Sequence, residues 1–343
     1  MSELNANAQP AIGMHGPASE DSKLRRNQLV DLVKGLAIIG VVWIHAGLPA
    51  AGIFRFSVPV FVGLWAFYLE RSWMRGETHQ RMYMRFRRLF IPYALWTLLY
   101  LSIKYTIDEA MAMPVHTLIG GQLGGFGWSG QYFFVLLFQM LFLFPLIRAA
   151  INAKTVWMLI VIGLLFNVIA TYILSSNEVV VKLGYRVFIY WLPYVFMGIA
   201  LARGYIAPNH RLLIPALGLL ALAPIELARL DEFASYIAPT VSVASVLLLA
   251  AVAPSLLPHH GLSGVAAKWS KSRLLGYAKA GVEVLGRNTF VIFVSNVLFL
   301  ALARWLWGED VNRLLAACFA IAAGFGLGAT MRRLGIGVLV GEK

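Results

Sequence analysis

Long apolar runs follow one another along almost the whole chain, a pattern that no water-soluble fold accommodates. A helix crosses the hydrocarbon core of a bilayer with about 20 mostly apolar residues. Segments of that kind fall at residues 29–48, 50–70, 88–106, 130–150, 155–174, 184–203, 211–228, 236–257, 284–304 and 312–331. Hydrocarbon cannot satisfy backbone polar groups, so a spanning segment is a helix or part of a closed barrel. The runs are continuous and lack the alternation of barrel strands. The expected fold is therefore all-α, a polytopic membrane bundle of about ten transmembrane helices. Composition agrees: 13% of the 343 residues are charged, against about a quarter in a soluble domain. Residues 1–24 are expected to be a disordered cytoplasmic tail, 25–333 the membrane domain and 334–343 a short cytoplasmic tail. The polar stretch Met1 to Ser22 lacks the charged start and apolar middle of a secretory signal.

The formal charge of +13 does not point to nucleic acid, because the basic residues sit in short connections between the apolar runs. Placing both termini inside puts 20 of the 29 Lys and Arg on internal pieces, with clusters at 23–26, 71–88, 148–154, 203–211, 268–279 and 332–343. The other side keeps Arg55, Lys104, Lys182, Arg186, Arg229, Arg304 and Arg313, beside acids such as Asp108, Glu109, Asp231, Glu232, Glu309 and Asp310. The bias places both termini in the cytoplasm. The single cysteine, Cys318, excludes an intrachain disulfide and a cysteine metal site, and no metal is expected.

Ionisable groups inside a span are costly and usually face the bundle interior or a wet cavity. Two basic residues remain, Lys34 and Arg287, each placed within a span near its cytoplasmic end. The first span holds Asp31, Lys34 and His45. Asp31 and Lys34 are three apart and can pair on one face. Eleven further residues make almost three turns, which sets His45 on nearly the same face, about 16 Å deeper. A polar stripe running into the membrane results. The pair could serve only to fix helix register, with Lys34 snorkelling to the interface, and His45 could be a buried structural histidine. As a functional group, the imidazole is a general base suited to moving a hydroxyl proton during acyl transfer.

The connection Arg81-Met82-Tyr83-Met84-Arg85-Phe86-Arg87-Arg88 puts Arg85 and Arg88 on one helix face. Such a fork can hold phosphates, or can simply anchor the loop against anionic lipid. The fourth span opens with Gln131-Tyr132-Phe133-Phe134 after a glycine-rich run from Gly120 to Gly130, which permits an irregular, re-entrant or cavity-lining loop, while the aromatics also suit a membrane-interface belt. The ninth opens with Gly286-Arg287-Asn288-Thr289. Asn288 and Asn296, eight apart, share a face and either bind helices together or line a site.

Together these residues resemble the membrane acyltransferase-3 family, whose members move acetyl or other acyl groups from coenzyme A thioesters onto cell-surface sugars. The resemblance rests on a basic residue, ten positions and a histidine in the first helix, matched by Lys34 and His45, and on Arg-x-x-Arg after the second helix, matched by Arg85 and Arg88. Weaker echoes are Val58-Pro59-Val60-Phe61, Tyr132-Phe133-Phe134 and Trp191-Leu192-Pro193-Tyr194-Val195-Phe196-Met197-Gly198. Two departures stand out: Trp65-Ala66 where such proteins often carry Ser-Gly, and Asn296 where many carry histidine. The second leaves His45 as the one candidate base in the membrane.

The resemblance implies an acyl-CoA-dependent O-acetyltransferase of the bacterial inner membrane, acting on an exopolysaccharide or a lipid-linked sugar. Acetyl-CoA is the expected co-substrate, its phosphates on Arg85 and Arg88 and its pantetheine arm along the stripe. His45, supported by Asp31 and Lys34, is the expected base or transient acyl carrier. Lys34, Arg287 and Asn288 are expected to complete the acyl-CoA mouth, and Tyr132 and Asn296 to contact the acceptor. Membrane lipids are the other expected partners, and self-association stays open. A transporter or flippase for a lipid-linked glycan is the alternative, although no internal half-repeat of the kind many transporters carry is visible.

Overall fold

The computed structural model describes residues 28–76, 79–115, 128, 130–174, 186–207, 209–230, 235, 237–252 and 273–336. The expected N-terminal tail, most of the glycine-rich run and the end of the C-terminal tail lie outside them. Among the described residues the regular secondary structure is all helical, joined by short turns. The main helices are α1 (Gln28–His45), α2 (Ser57–Met74), α3 (His79–Lys104), α4 (Ile107–Ala112), α5 (Gln131–Ala150), α6 (Val156–Ile169), α7 (Leu192–Arg203), α8 (Leu213–Leu227), α9 (Pro239–Val252), α10 (Arg273–Arg287), α11 (Thr289–Trp307) and α12 (Arg313–Arg333).

Six helical segments of the described residues are long and apolar enough to cross a membrane: Ala51–Met74, Gln131–Ala150, Val156–Ile173, His210–Leu227, Thr289–Trp307 and Arg313–Arg333. The other four expected spans are helical as well, but with less apolar length. Phe188–Arg203 and Pro239–Val252 are short, α1 carries Asp31 and Lys34 near its start, and α3 begins with a basic turn. Boundaries also shift in the region of 284–304. Gly286 and Arg287 belong to a separate helix, α10, and the span proper begins at Thr289 after a break at Asn288. Arg287, expected within the ninth span, therefore closes the preceding helix, because the chain breaks at Asn288 and the apolar run starts only at Thr289.

Side chains are arranged as for an apolar solvent. On α6 the buried positions are Val156, Ile160, Gly163 and Asn167, whereas Trp157, Met158, Val161, Ile162 and Leu165 are exposed. The amide is inside and the aliphatic surface outside, which would be an aggregation liability in water and is the expected order in lipid. Buried Asn167 donates to the Tyr190 carbonyl at 3.1 Å and to Ser242 Oγ at 3.3 Å, and Tyr194 donates to the same Ser242 oxygen at 2.9 Å. That network joins α6, α7 and α9.

Without a hydrophobic drive between helices in lipid, close approach depends on small residues. Gly198 of α7 meets the Gly63 carbonyl and Ala66 of α2, and Gly163 of α6 meets Pro193. The Trp191-to-Gly198 motif is thus the seam between three helices. Gly324 and Gly328 of α12 let it approach Ile292 and Val291 of α11.

The tightest crossing joins α1 and α10. A methyl at Gly286 would overlap the Asp31 carbonyl, and one at Gly35 would overlap the Val282 carbonyl. Gly286→Ala is therefore expected to destabilise the protein by about 1–3 kcal/mol, the usual penalty of overpacking. Gly281→Ala on the same helix faces open space and should stay within about 0.5 kcal/mol of the parent. Thermal unfolding in detergent compares the two, and equal midpoints would mean that the crossing is loose.

Candidate functional site

Two ends of the bundle carry the polar chemistry. α1 starts at one, where Asp31 is buried at 3% exposure. A carboxylate there requires cations, and two supply them: Lys34 Nζ lies 3.7 Å from Oδ1 and Arg287 Nε lies 3.5 Å from Oδ2. The α1–α10 crossing brings Arg287 to this point, joining two of the expected mouth residues on one carboxylate. Asn288 behaves differently. Its side chain donates to the Val284 carbonyl at 2.8 Å and accepts from Arg332 Nη2 at 2.6 Å, so both halves of the amide are engaged in holding the α10–α11 break and the end of α12. It holds Arg332 at the residue next to Arg287, so this end carries three cations, Lys34, Arg287 and Arg332, of which the first two bind Asp31.

The Arg85 and Arg88 fork sits on the first turns of α3, with Arg88 exposed and Arg85 half-buried. α3 is fastened further along. Tyr100 donates to the Val294 carbonyl of α11 at 2.8 Å and accepts from the Leu298 N–H at 3.1 Å. Phe86, Phe90 and Tyr93 pack on Phe138 of α5. The basic turn is left accessible.

His45 closes α1. The expected span to residue 48 stops three residues early because the chain turns at Gly47, where φ is +63°; the imidazole therefore sits at the far end of the helix and not inside a longer one. Since 34–45 is helical throughout, the stripe spacing holds. The turn is fixed by Trp43 Nε1, which donates to the Pro49 carbonyl at 2.8 Å, and by Trp43 packing on Phe54 at 5.3 Å between centroids. His45 is half-buried, and Arg55 of the Ala51–Phe56 turn is close enough to act on it electrostatically. Among the described residues nothing holds the imidazole by a hydrogen bond.

Tyr132 is buried in the first turn of α5 at 6% exposure. Around it, Trp128 stacks on Tyr100 with centroids 4.7 Å apart, and Trp128 Nε1 and Gln131 Nε2 both donate to Thr97 Oγ1, at 3.1 and 3.3 Å. Gly130 makes the entry feasible with φ +91°, a conformation other residues avoid. Asn296 is buried at 1% exposure, its amide N–H on the Phe293 carbonyl and its Oδ1 without a hydrogen bond among the described residues. A buried acceptor left so costs about 1–3 kcal/mol.

Sequence reasoning passed over Glu70, which is fully buried on α2. Arg148 binds it bidentately, both contacts at 3.0 Å, and Arg203 Nε reaches it at 2.8 Å. Arg203 also donates to the carbonyls of Ile151 and Arg148, and Arg148 lies over the Trp73 ring at 4.9 Å. Two arginines assigned to surface anchoring are thus the counter-ions of a buried acid, clamping α2, α5 and α7. The available signal was an acid in an otherwise apolar run, which by itself marks an interior partner.

Among the described residues no group of three or more His, Cys, Asp or Glu is placed to hold a metal ion. No curated protein and no solved structure matches the chain. A family model does: the acyltransferase-3 model, described as an acyltransferase domain, matches residues 27–333. That span takes in the whole first-helix motif, the arginine fork and both ends of the bundle, so the chain belongs to the acyltransferase-3 family and is a membrane acyltransferase.

Proposed function

We propose that this protein takes an acyl group, acetyl in the simplest case, from cytoplasmic acyl-CoA and transfers it to a hydroxyl of a cell-surface or lipid-linked glycan. The observation that carries this is the two-ended arrangement of α1: a surplus of cations at its start, with Arg287 and Lys34 sharing Asp31, and at its other end an imidazole free of hydrogen bonds among the described residues. In this reading the chain spans a bacterial inner membrane about ten times with both termini in the cytoplasm, so the Asp31 end faces the CoA pool.

The phosphates of CoA meet Arg85 and Arg88, with Lys34 and Arg287 at the mouth, since guanidinium forks hold phosphate oxygens bidentately. Asn288 serves by placing Arg287 and Arg332. The pantetheine arm follows the stripe of α1 to His45. There the imidazole removes the proton from the acceptor hydroxyl as its oxygen bonds to the acyl carbon, the carbon–sulfur bond breaks, and the thiolate of CoA leaves and takes up a proton. Transfer through an acyl-imidazole is the two-step form of the same chemistry. Asn296 Oδ1, left without a hydrogen bond among the described residues, supports a role for this amide as an acceptor for substrate, with Tyr132 on the acceptor side.

The test is acyl transfer from labelled acetyl-CoA by the purified protein in detergent, together with surface-glycan mass spectrometry of a deletion strain. Label on the glycan, and a lost acetyl increment in the deletion, support the proposal. Glycan movement across vesicles without acetyl-CoA consumption would replace the enzyme with a carrier. The Arg85→Ala, Arg88→Ala double variant is expected to raise KM for acetyl-CoA at least tenfold, about 1.4 kcal/mol. An unchanged KM would leave the fork as a lipid anchor.

A further inference from the structure

At the far end of α1 the structure holds a cavity of about 240 Å³, lined by Ala46, Leu300, Arg304, Glu309, Val311, Arg313 and Ala316. It lies where α1 ends, α11 ends and α12 begins, and Ala46 is the residue next to His45. The volume is below the roughly 300 Å³ at which drug-sized pockets begin, so it suits one small polar unit. Its chemistry is specific. Arg304, Glu309 and Arg313 are exposed side chains lining the same space, and among the described residues Arg304 and Glu309 form no ion pair with each other or with any other group. Arg313 commits Nη1 to the Gly47 carbonyl at 2.7 Å, which ties α12 to the turn after His45 and leaves the rest of its guanidinium fork available. Glu309 and its neighbour Asp310 are both exposed, and of the two acids only Glu309 lines the cavity.

Resting on the function proposed above, we infer that this cavity is the acceptor subsite and that it takes an anionic sugar unit, its carboxylate or phosphate between Arg304 and Arg313 and a ring hydroxyl donating to Glu309. Two guanidinium groups against one carboxylate leave a net positive space. Arginine forks match the planar oxygens of a carboxylate or phosphate, and a lone carboxylate is an acceptor that a sugar hydroxyl satisfies. Placed beside Ala46, the sugar presents its other hydroxyls towards the end of α1. A neutral glycan would bring the two guanidinium groups no opposite charge.

The experiment measures binding of methyl glucuronide, glucose 6-phosphate and methyl glucoside to the full-length protein in detergent by saturation-transfer NMR, with acetyl-CoA affinity determined in parallel. At least one anionic sugar should bind ten times more tightly than methyl glucoside, with the preference lost in Arg304→Glu and kept in Arg304→Lys. Tight binding of glucuronide alone assigns a carboxylate ligand, and of glucose 6-phosphate alone a phosphate. Equal binding of all three, or an anionic preference that survives Arg304→Glu in protein that still binds acetyl-CoA, overturns the subsite. Sugar binding is read without turnover, so absence of acetyl transfer would count against the enzyme proposal and leave this measurement to stand by itself.

Discussion

His45→Ala is expected to lower acyl transfer by about 10²- to 10⁴-fold, the contribution of a positioned general base, while the protein still inserts, folds and binds acetyl-CoA. The reason is positional. The imidazole is half-buried at the end of α1, its turn fastened by Trp43 and Phe54 and its own nitrogens free of protein hydrogen bonds among the described residues. Removing it therefore breaks no structural hydrogen bond and leaves only a small cavity near the surface of the bundle. Thermal midpoint and acetyl-CoA affinity should move little as kcat collapses. An unchanged kcat would remove His45 from the chemistry. A collapse in midpoint along with kcat would make it a packing residue. Intact-mass analysis of the parent after acetyl-CoA alone separates the two mechanisms, because an acyl adduct lost in His45→Ala identifies a carrier.

Glu70→Ala should produce the largest loss of stability, about 3–5 kcal/mol, because it strands two guanidinium groups around a position that is completely buried. The Glu70 carboxylate receives three contacts of 2.8–3.0 Å from Arg148 and Arg203, and the desolvation already overcome by the acid is compensated only while all partners remain. Replacing the trio together, as Glu70→Leu with Arg148→Met and Arg203→Met, should recover most of the loss, since well-packed apolar groups often equal a buried ion cluster. Chemical unfolding in mixed micelles reads both variants. A loss below about 1 kcal/mol for Glu70→Ala would mean that water reaches the clamp and solvates the two arginines.

The helical class, the basic loop, the α1 stripe and its two motif residues were legible because each depends on local order along one helix: hydropathy sets the spans, and a step of 11 residues returns to one face whatever surrounds it. Lys34, Asp31 and His45 could be placed relative to one another from spacing alone. Where the helix would stop could not, since Gly47 ends it through a turn held by Trp43 and Pro49, and hydropathy does not change there. Ten apolar segments could be marked, but the bundle shortens some and breaks the ninth at Asn288, because Gly286 is taken up in contact with Asp31 and not in continuing a span.

What the sequence determined by itself is the solvent this protein folds in and the line of ionisable residues on its first helix, since both follow from composition and helical period. Tertiary structure alone decided the partners: Arg287 on Asp31, Arg148 and Arg203 on Glu70, and Arg304, Glu309 and Arg313 around the end of α1. Those pairings join residues as many as 266 positions apart, and they arise from glycine-permitted crossings that a one-dimensional pattern does not encode. In lipid an ionisable side chain must find its counter-charge inside the bundle, and which one it finds is settled by how the helices pack.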